Sequence, residues 1–84
     1  MKSEYKIYFI INETKTKTYV GFSNDLKERT REHRNHKVRT TRDFGNFKVY
    51  ILEIVESVKK ARERERYWKS HAGRKRLKKL FDNL

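Results

Sequence analysis

The alternation of hydrophobic and polar positions divides the chain into six segments. Tyr5 to Ile11 is β-branched and aromatic, Asn12 to Lys17 is polar, and Thr18 to Phe22 is again strand-like, which predicts an antiparallel hairpin with a longish loop. Ser23 and Asn24 suit a helix N-cap and Asp25 the positive end of a helix. With no breaker from Leu26 to His36, a first helix with a thin apolar stripe is expected there. Phe47 to Val55 carries Val49, Ile51 and Val55 on one face and Tyr50, Leu52 and Ile54 on the other. Apolar on both sides, it is expected to be the central strand, covered on both faces.

From Val58 to Ala72 the period turns helical, with Val58, Ala61, Trp68 and Ala72 recurring at three- and four-residue steps as one inward stripe, and Gly73 is placed to end that helix. A last helix then carries Leu77, Leu80, Phe81 and Leu84 on one side and Arg74, Lys75, Arg76, Lys78 and Lys79 around the rest. The order ββαβαα predicts an α/β (α+β) fold: a small three-stranded antiparallel sheet flanked by helices. At 84 residues the chain has room for one domain, residues 1–84, and one modest core.

Composition narrows the function. With no cysteine there is neither a disulfide framework nor a thiolate metal site, so a reducing, cytoplasmic setting is expected. The apolar stretch after Met1-Lys2-Ser3-Glu4 is too short to span a bilayer. A net charge of +12 and a pI near 10.2 favour a polyanionic partner, which relieves the self-repulsion of the folded chain. Nucleic acid is the expected partner. An anionic membrane fits less well, because only the last helix pairs a basic face with an apolar one, and weakly.

Three constellations carry candidate chemistry. Projected at about 100° per residue, Glu65 falls in the middle of the stripe made by Val58, Ala61, Trp68 and Ala72. An inward carboxylate is costly unless it is paired or holds a cation. A salt bridge to Arg62 or Lys69 and a metal or catalytic role both explain it. Arg29 and His33 stand four apart on the first helix, so both can face one phosphate; an exposed basic helix is the plain alternative. Tyr8 and Tyr19 fall on neighbouring strands, where most tyrosines simply pack. Gly21, two residues past Tyr19, leaves space for a backbone or a phosphate to approach.

Taken together, Tyr8, then Tyr19-Val20-Gly21, then Asn24-Asp25-Leu26 leading to Arg29 and His33, then Ala61 and Glu65, resemble the GIY-YIG nuclease family over nearly the whole chain, closest to its small single-domain bacterial members. The basic loop Lys37-Val38-Arg39-Thr40-Thr41 and the tail from Trp68-Lys69-Ser70 to Gly73-Arg74 join the match. The resemblance implies a metal-dependent DNA endonuclease. In it Tyr19 orients or deprotonates the attacking water, Tyr8 supports Tyr19, Arg29 clamps the scissile phosphate, and His33 assists proton transfer or phosphate contact. Glu65 holds one divalent cation, Mg2+ or Mn2+.

A single ion is expected because one inward carboxylate is convincing; Asp25, Glu28 and Glu32 read as capping and surface charges. Lys27, Lys37, Arg39, Arg42, Lys69, Arg74 and Lys75 are expected to grip nucleic-acid phosphates. Lys6-Ile7-Tyr8 departs from the Gly-Ile-Tyr that names the first motif, Val20 replaces an isoleucine, and Arg76-Leu77-Lys78-Lys79 stands where many members carry an asparagine. The competing reading is a binding module of the same fold that holds DNA or RNA and cuts poorly. Either a monomer or a weak dimer is compatible with the pattern.

Overall fold

A computed structural model describes residues 4–81. Strands β1 (Tyr5–Asn12) and β2 (Thr18–Ser23) form the hairpin; helix α1 (Leu26–Arg34), a short 3-10 turn (Arg39–Thr41), strand β3 (Phe47–Val55) and helices α2 (Val58–Lys69) and α3 (His71–Leu80) follow. The expected ββαβαα order and three-stranded antiparallel sheet are therefore present. Leu84 and the chain beyond Phe81 lie outside the described residues. Among those residues no helix is long and apolar enough to cross a membrane.

The strand order is β2-β1-β3, so β1 is central and β3 is an edge, contrary to the expectation that β3 lies in the middle. Ile7, Tyr8, Phe9 and Ile10 are all buried, one continuous apolar run filling both faces. Each such side chain contributes roughly 1.5–3 kcal/mol on burial. On β3, by contrast, Ile51 and Ile54 are 51% and 55% exposed. Its apolar positions are interrupted by Lys48 and Glu53, which are charged residues that edge strands tolerate.

The two faces of β1 divide the core. Ile7, Phe9 and Ile11 pack with Val20, Ala61, Trp68 and Leu77 beneath α2 and α3. Tyr8 and Ile10 pack on the other side with Phe44 and Phe47, joined by Tyr19, Leu26 and Val49. The face holding both tyrosines is thus the one that α1 and the 3-10 turn cover.

Local chemistry sets the helix boundaries. Asp25, rather than Ser23 or Asn24, caps α1 by accepting the Glu28 N–H, while Ser23 Oγ accepts from Asp25 N. The helix stops at Arg34, short of the expected His36, which takes a positive φ. Helix α2 ends at Lys69 because Ser70 caps α3, accepting from Gly73 N. Gly73 therefore lies inside α3 instead of terminating α2. A β-carbon there would overlap the Tyr67 carbonyl oxygen and Trp68 Cα, so glycine is what lets the two helices meet so closely. Of the predicted α2 stripe only Ala61 and Trp68 are buried; Val58 and Ala72 are exposed.

The rotation of α2 is fixed from β3. Glu53 accepts both Arg64 Nε at 2.7 Å and Trp68 Nε1 at 2.5 Å. Because residues 64 and 68 share a helix face, these two bonds leave the adjacent Glu65 turned toward another side of α2.

Candidate active site

Tyr8 sits in the middle of β1, directly opposite Gly21 of β2, while Tyr19 pairs with Ile10. Alternation along the strands puts Tyr8 and Tyr19 on one face, with ring centroids 6.1 Å apart. Gly21 provides the room: a β-carbon built there would stand 2.7 Å from Tyr8 Oη and 2.8 Å from Tyr19 Cε2. The space expected to admit a phosphate is filled by the Tyr8 phenol instead.

Helix α1 brings Arg29 and His33 to the same face. His33 has no solvent exposure, and its ring lies 5.6 Å from that of Tyr8 and 5.2 Å from that of Tyr19. Both ring nitrogens are engaged: Nε2 is 2.9 Å from Tyr8 Oη, and Nδ1 is 2.6 Å from Oγ1 of Thr41 in the 3-10 turn. A buried ring so bonded reaches Tyr8 rather than a phosphate, which corrects the expectation that Arg29 and His33 contact one phosphate together. Burial, and then the nearby Arg29 guanidinium, hold the His33 pKa down at about 4, with Glu32 opposing. The imidazole is neutral at pH 7.

This depression makes a stability prediction. Unfolded histidine titrates near 6.5, so between about pH 6.5 and about pH 4 the unfolded chain binds a proton that the folded chain refuses. Stability is expected to fall as pH drops through this window, by on the order of 3 kcal/mol. Urea unfolding of the wild type at pH 7 and pH 4.5 should show the loss, and His33→Gln should show much less of it. Equal pH dependence in the two proteins would refute the depressed titration.

Burial, the largest influence, also raises the Tyr8 phenol well above its ordinary pKa; the Arg29 guanidinium opposes the rise and Tyr19 adds to it. The Tyr8 phenol is therefore neutral at pH 7. Arg29 Nη1 donates to Glu32 Oε1 at 2.8 Å, and this bond, followed by Tyr8, strengthens its hold on its proton. Glu32 is thus the residue that orients the guanidinium. The sequence analysis expects a surface charge there, although the three-residue offset from Arg29 is a signal that the two can pair. Thr41 gave no such signal, since nothing in a basic loop distinguishes a buried threonine from its exposed neighbour Thr40.

Glu65 is carried by α2. Its side chain is 24% exposed and pairs with Lys69 Nζ at 3.2 Å, the salt-bridge partner anticipated alongside Arg62. The same ammonium stands 5.8 Å from the Tyr19 ring centroid. Tyr8, Tyr19, Arg29 and His33 are in mutual contact range, and Glu65 joins them by way of Lys69. Beside them a cleft of about 270 Å³ opens over the β2 edge, lined by Tyr19, Val20, Thr40, Trp68, Lys69 and Arg74 among others. Of the residues expected to grip phosphates, Lys69 and Arg74 line this cleft, Arg39 and Arg42 flank Thr40 and Thr41 as exposed side chains, and Lys37 and Lys75 are exposed. Lys27 lies apart, in a hollow with Asp25, Glu28 and Arg31.

The family model of the GIY-YIG catalytic domain matches residues 4–79, nearly the whole chain. The chain belongs to the GIY-YIG family. Comparison with curated proteins and with solved structures returns no match. GIY-YIG membership makes this a domain of nuclease type, and its two tyrosines lie on adjacent strands of the sheet whose partner elements carry Arg29 and Glu65.

Proposed function

We propose that the protein is a metal-dependent endonuclease that hydrolyses DNA phosphodiesters at the cleft beside Tyr19. The observation that carries this reading is the meeting of two phenols with a fixed guanidinium, and of one of those phenols with the Lys69 ammonium that Glu65 holds, on a chain of the GIY-YIG family.

The donor set fits one hard cation. Among the described residues no group of three or more His, Cys, Asp or Glu gathers; Glu65 would hold such an ion with one carboxylate, a small protein share that magnesium accepts readily. The Lys69 ammonium beside Glu65 supports a place for positive charge next to Tyr19. Bound there, such a cation supplies charge stabilisation to the phosphate in the transition state.

The remaining steps belong to the side chains. Arg29 donates to the phosphate oxygens as a planar clamp, kept in aim by Glu32. Tyr19, partly exposed on the cleft wall, is the phenol that can meet a water and orient it toward phosphorus. Tyr8, buried and protonated, donates behind it and does not take the proton. Lys69 and Arg74, with the exposed Lys37, Arg39, Arg42 and Lys75, hold flanking phosphates.

Incubation of supercoiled plasmid with the purified protein tests the reading. Nicked circles should accumulate in magnesium and stop on chelation, while plasmid stays bound in both conditions. Plasmid that is bound but intact in magnesium would reduce the protein to a binding module, and cutting that survives chelation would remove the metal from the scheme.

A further inference from the structure

We propose that Thr41 is a positioning residue which, acting through His33, fixes the direction in which Tyr8 donates its hydroxyl hydrogen. The three side chains form one buried line: Thr41 Oγ1 to His33 Nδ1 at 2.6 Å and His33 Nε2 to Tyr8 Oη at 2.9 Å, with exposures of 1%, 0% and 1%.

A neutral imidazole offers one N–H and one lone pair, so its two bonds must run in the same sense. Either Thr41 donates to Nδ1 and the Nε2–H donates to Tyr8 Oη, or Tyr8 donates to Nε2 and the Nδ1–H donates to Thr41. The second sense leaves the Thr41 hydroxyl hydrogen in need of another acceptor, and among the described residues His33 is the one hydrogen-bond partner of that hydroxyl. A buried donor left unmatched costs about 1–3 kcal/mol. In the first sense the hydrogen left over is that of Tyr8, whose phenol has Tyr19 beside it, with ring centroids 6.1 Å apart, so the first sense is selected, with His33 protonated on Nε2.

The consequence falls on Tyr8. Its oxygen accepts from His33, so its own hydrogen turns toward the other groups beside it, Arg29 and Tyr19. A guanidinium accepts no hydrogen bond, which leaves the Tyr19 oxygen, or a water or phosphate oxygen brought there, as the acceptor. The donor sequence runs from Thr41 through His33 and Tyr8 toward the cleft. Thr41 belongs to the loop that also carries Lys37, Arg39 and Arg42, so the segment expected to grip phosphates is tied by one hydroxyl to the Tyr8 phenol.

The kinetic consequence rests on the nuclease reading; the tautomer does not. Long-range 1H–15N spectra of the 15N-labelled protein at pH 7 should place the His33 proton on Nε2, with Nδ1 unprotonated. Thr41→Val, which keeps the shape and deletes the hydroxyl, should let a measurable Nδ1-protonated population appear. It should lower the kcat of plasmid nicking about 10-fold, with KM and duplex affinity unchanged. Thr41→Ser should retain the wild-type tautomer and rate. A wild-type proton on Nδ1, a valine variant identical to wild type in its tautomer, or a serine variant as altered as valine would overturn the proposal. If the wild type fails to nick at all yet shows the Nε2 proton and its dependence on the Thr41 hydroxyl, the nuclease reading falls and the assignment of Thr41 stands.

Discussion

Glu65→Gln is expected to lower the rate of plasmid nicking by roughly 100- to 1,000-fold, the usual cost of removing one well-placed charge-stabilising group. Glutamine keeps the size of the side chain and its place on α2, which Arg64 and Trp68 fix independently through Glu53. What it removes is the charge that holds Lys69 Nζ at 3.2 Å and that would hold a cation beside Tyr19. Because the change also makes a basic protein more positive, affinity for duplex DNA should be unchanged or slightly higher. A loss of nicking accompanied by a parallel loss of binding would mean that the residue serves the grip and not the chemistry. Rate and retention on duplex, measured on the same preparation, separate the two.

Gly21→Ala is expected to lower nicking by about 100-fold, the scale on which a displacement near 1 Å acts. The added β-carbon would meet Tyr8 Oη at 2.7 Å, Tyr19 Cε2 at 2.8 Å and Tyr8 Cζ at 2.9 Å. Tyr8 has nowhere to yield, since its ring is 1% exposed and its hydroxyl is bonded to His33. The strand must shift or the phenol must leave its partners, at a stability cost of about 1–3 kcal/mol. Nicking compared at equal folded fraction, taken from urea unfolding, checks this. A variant as active as wild type would show that the spacing of the two phenols does not matter to the reaction.

Much of this architecture is legible in the sequence. The period-two segments, the polar linker of the hairpin and the helical stripe gave the ββαβαα order, since each rests on local alternation that the fold preserves. Two-sided apolarity on β3 points to the wrong central strand, because the unbroken run Ile7 to Ile11 is the more deeply buried and makes β1 the middle of the sheet. Glycine near the end of a helical stripe predicts termination, as expected of Gly73. Its actual reason is a tertiary contact with the α2 backbone that no local pattern contains.

The site divides in the same way. Spacing alone put Tyr8 and Tyr19 on adjacent strands and Arg29 and His33 on one helix face, because strand and helix periods fix such relations. The bonds of His33 to Thr41 and Tyr8 needed the loop between α1 and β3 to fold back over the sheet, which is a long-range event without a sequence period. For Glu65, helix geometry pointed inward, and the side chain is indeed largely buried. The stripe around it is narrower than expected, with Val58 and Ala72 lying at the surface.

On the proposed reading Glu65 would exchange the Lys69 ammonium, which stands over the Tyr19 ring, for a divalent cation. Manganese titrated into the 15N,13C-labelled protein, bound to a nuclease-resistant duplex, tests it through paramagnetic broadening. Signals of Glu65, Lys69 and Tyr19 are predicted to broaden first, and Glu65→Gln should abolish the effect. Broadening that begins at other carboxylates such as Glu28 or Asp43, or that is unchanged in the Gln variant, would contradict it.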